Sequence, residues 1–121
     1  NKIKSLAQHN IKGEEGESLA QNYLSELGYQ ILESNWRFQK AEVDIIAKDG
    51  NFLVFVEVKC RSTDIFGEPQ TFVSEKKQAL FKSAAEGYLE QKDLDYEIRF
   101  DVISVILSVQ KAKIEHFKDA F

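Results

Sequence analysis

Residues 41–61 read AEVDIIAKDGNFLVFVEVKCR. Two apolar runs flank Asp49-Gly50, a strong hairpin signal, because glycine tolerates the positive φ of the turns that suit strand twist. Glu42–Lys48 and Asn51–Arg61 are therefore expected as paired strands. Phe52–Val56 is apolar at every position, so its strand should be central and covered on both faces. Three charged residues, Asp44, Glu57 and Lys59, are embedded in these runs. Charge in an apolar ribbon is costly unless it is paired, solvated or bound to metal.

With a two-residue turn at Asp49-Gly50, Lys48 pairs with Asn51, Asp44 faces Phe55 and Glu42 faces Glu57. Alternation then places Asp44 and Glu57 on one face as diagonal neighbours, ~7–8 Å apart at Cα. Lys59 lies on that face too, and a one-residue slip would separate the group. Two carboxylates so close repel unless a proton or cation sits between them. Hard oxygen ligands select Mg²⁺ or Mn²⁺. A divalent ion with open positions, beside a lysine that orients or deprotonates water, suits phosphodiester hydrolysis. The plainer alternative is a salt-bridge ladder on a half-exposed sheet, since Glu-x-Lys on a strand is common.

Outward from the hairpin, Leu19, Ala20, Tyr23, Leu24 and Leu27 recur at helical spacing, predicting a helix over 14–27 stopped by Gly28. Residues 1–12 are expected as a flexible N-terminal arm and 13–121 as a single domain. Glu17 lies at the edge of the buried stripe, three residues before Ala20, and is a candidate fourth site carboxylate. Its alternative role is to complement the positive end of the helix. Tyr29–Phe38 is expected as a strand with an irregularity near Ser34-Asn35, and Gln39-Lys40 as its turn. A loop follows over 62–73, holding Gly67 and the single proline, Pro69. Ser74 is the expected N-cap of a helix to about Gln91 whose stripe is Leu80, Phe81, Ala84, Ala85 and Tyr88. Lys77 falls on that stripe, either aimed at the sheet's end or snorkelling at a solvated edge. Arg99–Leu107 is another two-faced apolar strand, and Ile114–Phe117 a short last one. The order αβββαβ, with a fifth strand, gives an α/β fold: a mixed sheet flanked by helices.

The 121 residues suit one domain with one real core. No apolar run reaches the ~18 residues a membrane helix needs. The lone Cys60 excludes an internal disulfide and suits a reducing cytoplasm. With His9 and His116 it is too sparse for structural zinc. The net charge of −4 argues against a generic nucleic-acid coating protein. It does not exclude a nuclease, since two bound divalent cations would neutralise it. Arg37, Lys40, Arg61, Lys76, Lys77 and Lys82 are candidate phosphate contacts. Trp36 beside Arg37 reads as a core tryptophan next to a surface arginine, with stacking on an exposed base as the alternative.

Asp44 followed by Glu57-Val58-Lys59 resembles the PD-(D/E)XK nuclease signature, and the helix acid Glu17 resembles the archaeal Holliday-junction resolvase branch. More closely, residues 13–121 resemble the YraN family of uncharacterised bacterial proteins. The matching stretches are Gly13-x-x-Gly16-Glu17-x-x-Ala20, Gly28-Tyr29, Asn35-Trp36-Arg37, Glu42-Val43-Asp44 and Val54-Phe55-Val56-Glu57-Val58-Lys59-x-Arg61. They continue with Phe66-Gly67-x-Pro69, Val73-x-x-x-Lys77, Arg99-Phe100-Asp101-Val102, and His116 before Ala120-Phe121. Ala41 departs from the glycine usual in the family. The resemblance implies a restriction-endonuclease-like αβββαβ core. It implies a Mg²⁺- or Mn²⁺-dependent endonuclease acting on branched or otherwise structured DNA, with DNA favoured over RNA. It carries metal ligation onto Asp44, Glu57 and the backbone carbonyl of Val58, catalysis onto Lys59, and the helix acid onto Glu17. A four-way junction as substrate would call for a homodimer by symmetry. Two other functions compete: a noncatalytic nucleic-acid-binding or scaffold protein retaining the fold, and a protein-interaction module using loop 62–73 and the aromatic C-terminus. Phe117 and Phe121 are expected, more simply, to close the domain's own core.

Overall fold

The computed structural model describes residues 2–61, 73–108 and 111–121, with side chains from residue 13 onward. Helix α1 (Lys2–Glu26) is followed by β1 (Gln30–Phe38), β2 (Ala41–Asp49) and β3 (Phe52–Arg61). Then come α2 (Glu75–Lys92), β4 (Glu97–Leu107) and β5 (Ala112–Phe117). The strands form one sheet in the order β1-β2-β3-β4-β5. Only β3 and β4 are parallel, and α2 is the crossover between them. This is the expected αβββαβ core in a mixed sheet, with the fifth strand present. No helix is long and apolar enough to cross a membrane, among the described residues. The loop expected over 62–73 lies almost wholly outside the described residues.

Alternation divides the core in two. Ile45, Ala47, Val54, Val56, Ile103 and Val105 pack with Ala20 and Leu24 of α1. Ile46, Leu53 and Phe55 pack with Phe81, Ala84, Ala85 and Tyr88 of α2. Leu53, Val54, Phe55 and Val56 are all fully buried, as the unbroken apolar run requires. Each contributes about 1.5–3 kcal/mol by the area it removes from water. The aromatic C-terminus closes the α2 side: Phe121 stacks on Phe100 at 5.1 Å and meets Phe81 at 5.7 Å. Trp36 also belongs to the core, stacked on Phe38 at 5.8 Å and edge-on to Tyr88 at 5.2 Å.

Two expectations are corrected. Helix α1 begins at Lys2, not near Glu14, because glycines at 13 and 16 weaken a helix without ending it. Glu14, Glu15 and Glu17 thus lie well inside the helix, and the first turn carries no acid. Complementing the helix dipole no longer accounts for Glu17, since that effect fades within one turn. Gly28 does stop the helix, at φ +94, with the Tyr29 N–H donating to Leu24 O at 3.0 Å.

The second correction is the hairpin register. Asp49 pairs with Phe52 and Lys48 with Leu53, so the turn residues are Gly50-Asn51. Gly50 takes φ +59 as the first residue of the turn, the place of glycine in a type II′ hairpin. Asp49 is drawn into the strand, where its Oδ2 accepts from Arg99 Nη1 at 3.0 Å.

Candidate active site

The register runs through Ile46↔Phe55 and Ile45↔Val56. Its next step sets Asp44 opposite Glu57, directly across instead of diagonally as expected. The error was two residues, and side chains repeat every two, so the shared face survives. Because Ile46, Leu53 and Phe55 face α2, alternation turns Asp44, Glu57 and Lys59 toward α2 as well.

The sheet is irregular at this level. Val43 also joins the α2-side core, so alternation breaks between it and Asp44. In β1, Ser34 reaches Gln21 of α1 at 3.2 Å, whereas Trp36 belongs to the α2 side. Between them Asn35 takes φ +50, the irregularity expected there. Both strands therefore switch faces at Asn35 and Asp44, between the pairs Ser34↔Ile45 and Trp36↔Val43. At that switch α1 comes near. A Cβ on Gly16 would lie 2.9 Å from Cys60 Cβ and Sγ, so the helix sits almost in contact with β3. Glu17, the next residue, hydrogen-bonds Asn35, while its Oε1 is buried with no partner among the described residues.

The electrostatics follow from crowding of acids. Burial first, then the neighbouring charges of Glu57 and Glu17, push the Asp44 carboxyl up to about 7. The Val58 N–H, which donates to Asp44 Oδ2 at 2.8 Å, and Lys77 oppose that shift without overcoming it. Glu17 is raised too, by burial and then by Glu42, Glu14 and Glu57, against the Asn35 hydrogen bond. Glu57 is only 4% exposed. Its Oε1 lies 2.6 Å from Lys77 Nζ and 3.7 Å from Lys59 Nζ.

These groups border a cleft of about 350 Å³ between the β2–β3 ribbon and the start of α2. Its walls are Lys40, Glu42, Asp44 and Glu57 on the sheet side, and Ser74, Lys76, Lys77, Leu80 and Phe81 on the other. Ser74 caps α2 as expected, its Oγ accepting the Lys77 N–H at 3.1 Å. Lys59 joins the cleft through Glu57, and Glu17 approaches from the α1 side. Of the candidate phosphate contacts, Lys40, Lys76 and Lys77 are on the cleft, and Arg37, Arg61 and Lys82 are not. Arg37 pairs with Glu42 at 3.6 Å and Arg61 with Ser104 at 3.4 Å. No three acidic, histidine or cysteine side chains converge at metal-binding distance among the described residues.

Sequence reasoning missed Asn35 as the partner of Glu17 and the buried Ser104 beside Lys59, its cross-strand pair. An asparagine inside a strand was a usable signal for the first. A serine within a β-rich apolar run gave none for the second. It also missed a buried polar network at the other end of the α1 face. There Arg99 donates to Asp101, Asp49 and Tyr29, and His116 bridges Asp101 at 2.7 Å and Tyr23 at 3.2 Å. This network ties α1, β2, β4, β5 and the connection that leads into β1 together and holds Asp101 below the usual carboxylate range.

The family model of uncharacterised protein family UPF0102 matches residues 16–105, a span that includes every acid and lysine of the cleft. A UPF0102 protein of Flavobacterium psychrophilum is 53% identical over 116 residues, 96% of this chain and 98% of its own. One from Christiangramia forsetii is 52% identical with the same coverage, and one from Geobacter metallireducens 47% identical over 96% and 97%. This chain belongs to the UPF0102 family.

Proposed function

We propose that the protein is a metal-dependent DNA endonuclease of the PD-(D/E)XK type, acting on branched or otherwise structured DNA. The observation that carries this reading is the meeting of Asp44 and Glu57, from adjoining strands, at the wall of a lysine-bearing cleft with Lys59 beside Glu57. The donor set fits a hard divalent cation. It offers only carboxylate and backbone oxygen, Asp44 is raised by burial and then by its neighbours' charge, and Glu17 keeps a buried oxygen with no partner among the described residues. Mg²⁺ is commonly held by one or two protein carboxylates and completes its shell with water and substrate phosphate. Asp44 and Glu57 would hold it, with the Val58 carbonyl that the family resemblance adds and Glu17 supporting from α1.

The ion would supply polarisation of the phosphate and acidification of a water. The chain's own groups do the rest. Lys59, anchored beside Glu57, holds the attacking water and offsets charge developing on the phosphate. Lys40 and Lys76, on the cleft and exposed, hold the flanking phosphates. A cytoplasmic setting and a symmetric homodimer on four-way junctions belong to the same proposal.

A second reading is a noncatalytic nucleic-acid-binding protein that retains the fold. It is favoured by the close Lys77–Glu57 pair, which neutralises Glu57 without a metal. The two are separated by incubating single-stranded, duplex, flapped and four-way-junction DNA with Mg²⁺ or Mn²⁺. The parallel arms are Asp44→Ala and Lys59→Ala. Metal-dependent cleavage lost in both variants supports the nuclease. Binding without cleavage in every metal supports the second reading.

A further inference from the structure

Glu57 is the most buried acid of the cleft, yet it is not alone. The Lys77 ammonium sits 2.6 Å from its Oε1, on the side open to the cleft. Lys59 stands farther off at 3.7 Å. The Lys77 backbone is fixed, because its N–H donates to the capping Ser74 at 3.1 Å. Its side chain is another matter: it is 37% exposed, against 6% for Glu57. A stationary backbone with a flexible, partly solvated four-carbon stem is the condition for a cation that swings without moving its helix.

An ammonium and a divalent ion repel, and in a partly buried site they cannot share one carboxylate edge. A metal that takes Glu57 must therefore displace Lys77. The displaced ammonium can move into the cleft it already borders, where a phosphate lying against Lys40 and Lys76 would attract it.

We propose that Lys77 is an exchangeable counter-ion that fills the cation seat on Glu57 in the metal-free protein and transfers to a phosphate oxygen of the nucleic acid when a divalent ion takes that seat. This rests on the reading of Asp44 and Glu57 as the metal site. Lys77 is then a positioning residue that couples two ligands. The metal frees a phosphate-binding group, and phosphate, by holding that group away, favours the metal. Linkage requires the two effects to be equal. The exchange also spares the apoprotein an uncompensated buried carboxylate beside Asp44, the arrangement that is most destabilising when one partner of an ion pair is removed.

The test measures binding, not cleavage. Mn²⁺ alone is titrated calorimetrically into full-length wild type, Lys77→Met and Lys77→Arg. A short oligothymidylate is then titrated with and without Ca²⁺. Lys77→Met should bind Mn²⁺ about fivefold or more tightly, because no ammonium competes, a change in the range of measured site couplings. Lys77→Arg, which holds the carboxylate with a planar fork, should bind Mn²⁺ more weakly than wild type. Ca²⁺ should tighten oligothymidylate binding to wild type by a larger factor than it does for Lys77→Met, which keeps only the direct metal–phosphate contact. Equal or weaker Mn²⁺ affinity in Lys77→Met, with saturable binding in wild type, overturns the exchange and leaves the metal site standing. No saturable Mn²⁺ binding to any of the three overturns both. If Lys77→Met fails to fold, Lys77→Arg decides: unchanged or tighter Mn²⁺ affinity there overturns the exchange.

Discussion

Asp44→Asn should stabilise the metal-free protein at alkaline pH. Asparagine keeps an oxygen for the Val58 N–H, which reaches Asp44 Oδ2 at 2.8 Å, and removes only the charge. The Asp44 carboxyl is pushed from 3.8 to about 7 by burial and by Glu57 and Glu17. A raised carboxyl binds its proton more tightly in the folded state. Its contribution to stability is thus fully present below the unfolded value of 3.8 and lost as pH rises through about 7. The shift of about three units corresponds to ~4 kcal/mol at 1.36 kcal/mol per unit. Solvent screening of a half-buried group lowers this to about 2–4 kcal/mol. In urea melts with EDTA, Asp44→Asn should gain about 2–4 kcal/mol over wild type at pH 8 and about 1 kcal/mol at pH 5. Saturating Mn²⁺ at pH 8 should reverse the order, because only wild type gains by mass action. A variant less stable than wild type at pH 8 in EDTA, or a gain equal at both pH values, would refute the account of why Asp44 is raised.

Other perturbations test the frame around the site. Gly16→Ala places a methyl 2.9 Å from Cys60, between a helix and a central strand, and should cost about 1–3 kcal/mol in chemical denaturation. The same substitution moves Glu17 outward, so it should also weaken Mn²⁺-induced stabilisation; an unchanged melt and metal response would contradict the close helix contact. Asp101→Ala removes the buried carboxylate that Arg99 and His116 share, leaving Arg99 only Asp49 and Tyr29, and should cost about 3–5 kcal/mol by thermal or urea melting. Asp101 is held below the usual range, so its contribution is present above 3.8 and fades as pH falls, the opposite sign to Asp44. The acid limb of the wild-type stability profile should therefore flatten in Asp101→Ala. Phe121→Ala removes the stack on Phe100 and the contact with Phe81 and should cost about 1–3 kcal/mol, read as a lower melting temperature.

Local pattern carried most of the fold. The two-faced apolar runs at Phe52–Val56 and Arg99–Leu107 marked strands covered on both faces, and β3 and β4 both lie inside the sheet; that they adjoin each other was not legible in the pattern. Asp49-Gly50 located the hairpin but not its register, because the dipeptide alone does not say which residue opens the turn. Asp49 was settled by Arg99, fifty residues on, which no local signal encodes. The shared face of Asp44, Glu57 and Lys59 was legible because it depends on parity alone, and the two-residue change preserves parity. Glu17 was placed at the edge of its helix stripe by the 3.6-residue period. What brings it to Asp44 is the double face switch at Asn35 and Asp44, a tertiary feature signalled only by an asparagine in a strand. The Lys77–Glu57 pair spans twenty residues and joins β3 to the first turn of the crossover helix, so the sequence left Lys77 between a site residue and a solvated edge.

The most direct test of the central claim is single-turnover cleavage of a four-way junction in Mg²⁺ by wild type, Asp44→Asn and Lys59→Met. Thermal melts confirm that each variant is folded. The account predicts endonucleolytic products from wild type, no product when EDTA replaces Mg²⁺, and a rate at least about 10²-fold lower in each variant, the usual loss on removing a catalytic charge. Cleavage at the wild-type rate by either folded variant, or no metal-dependent cleavage of any DNA structure by wild type, would contradict it.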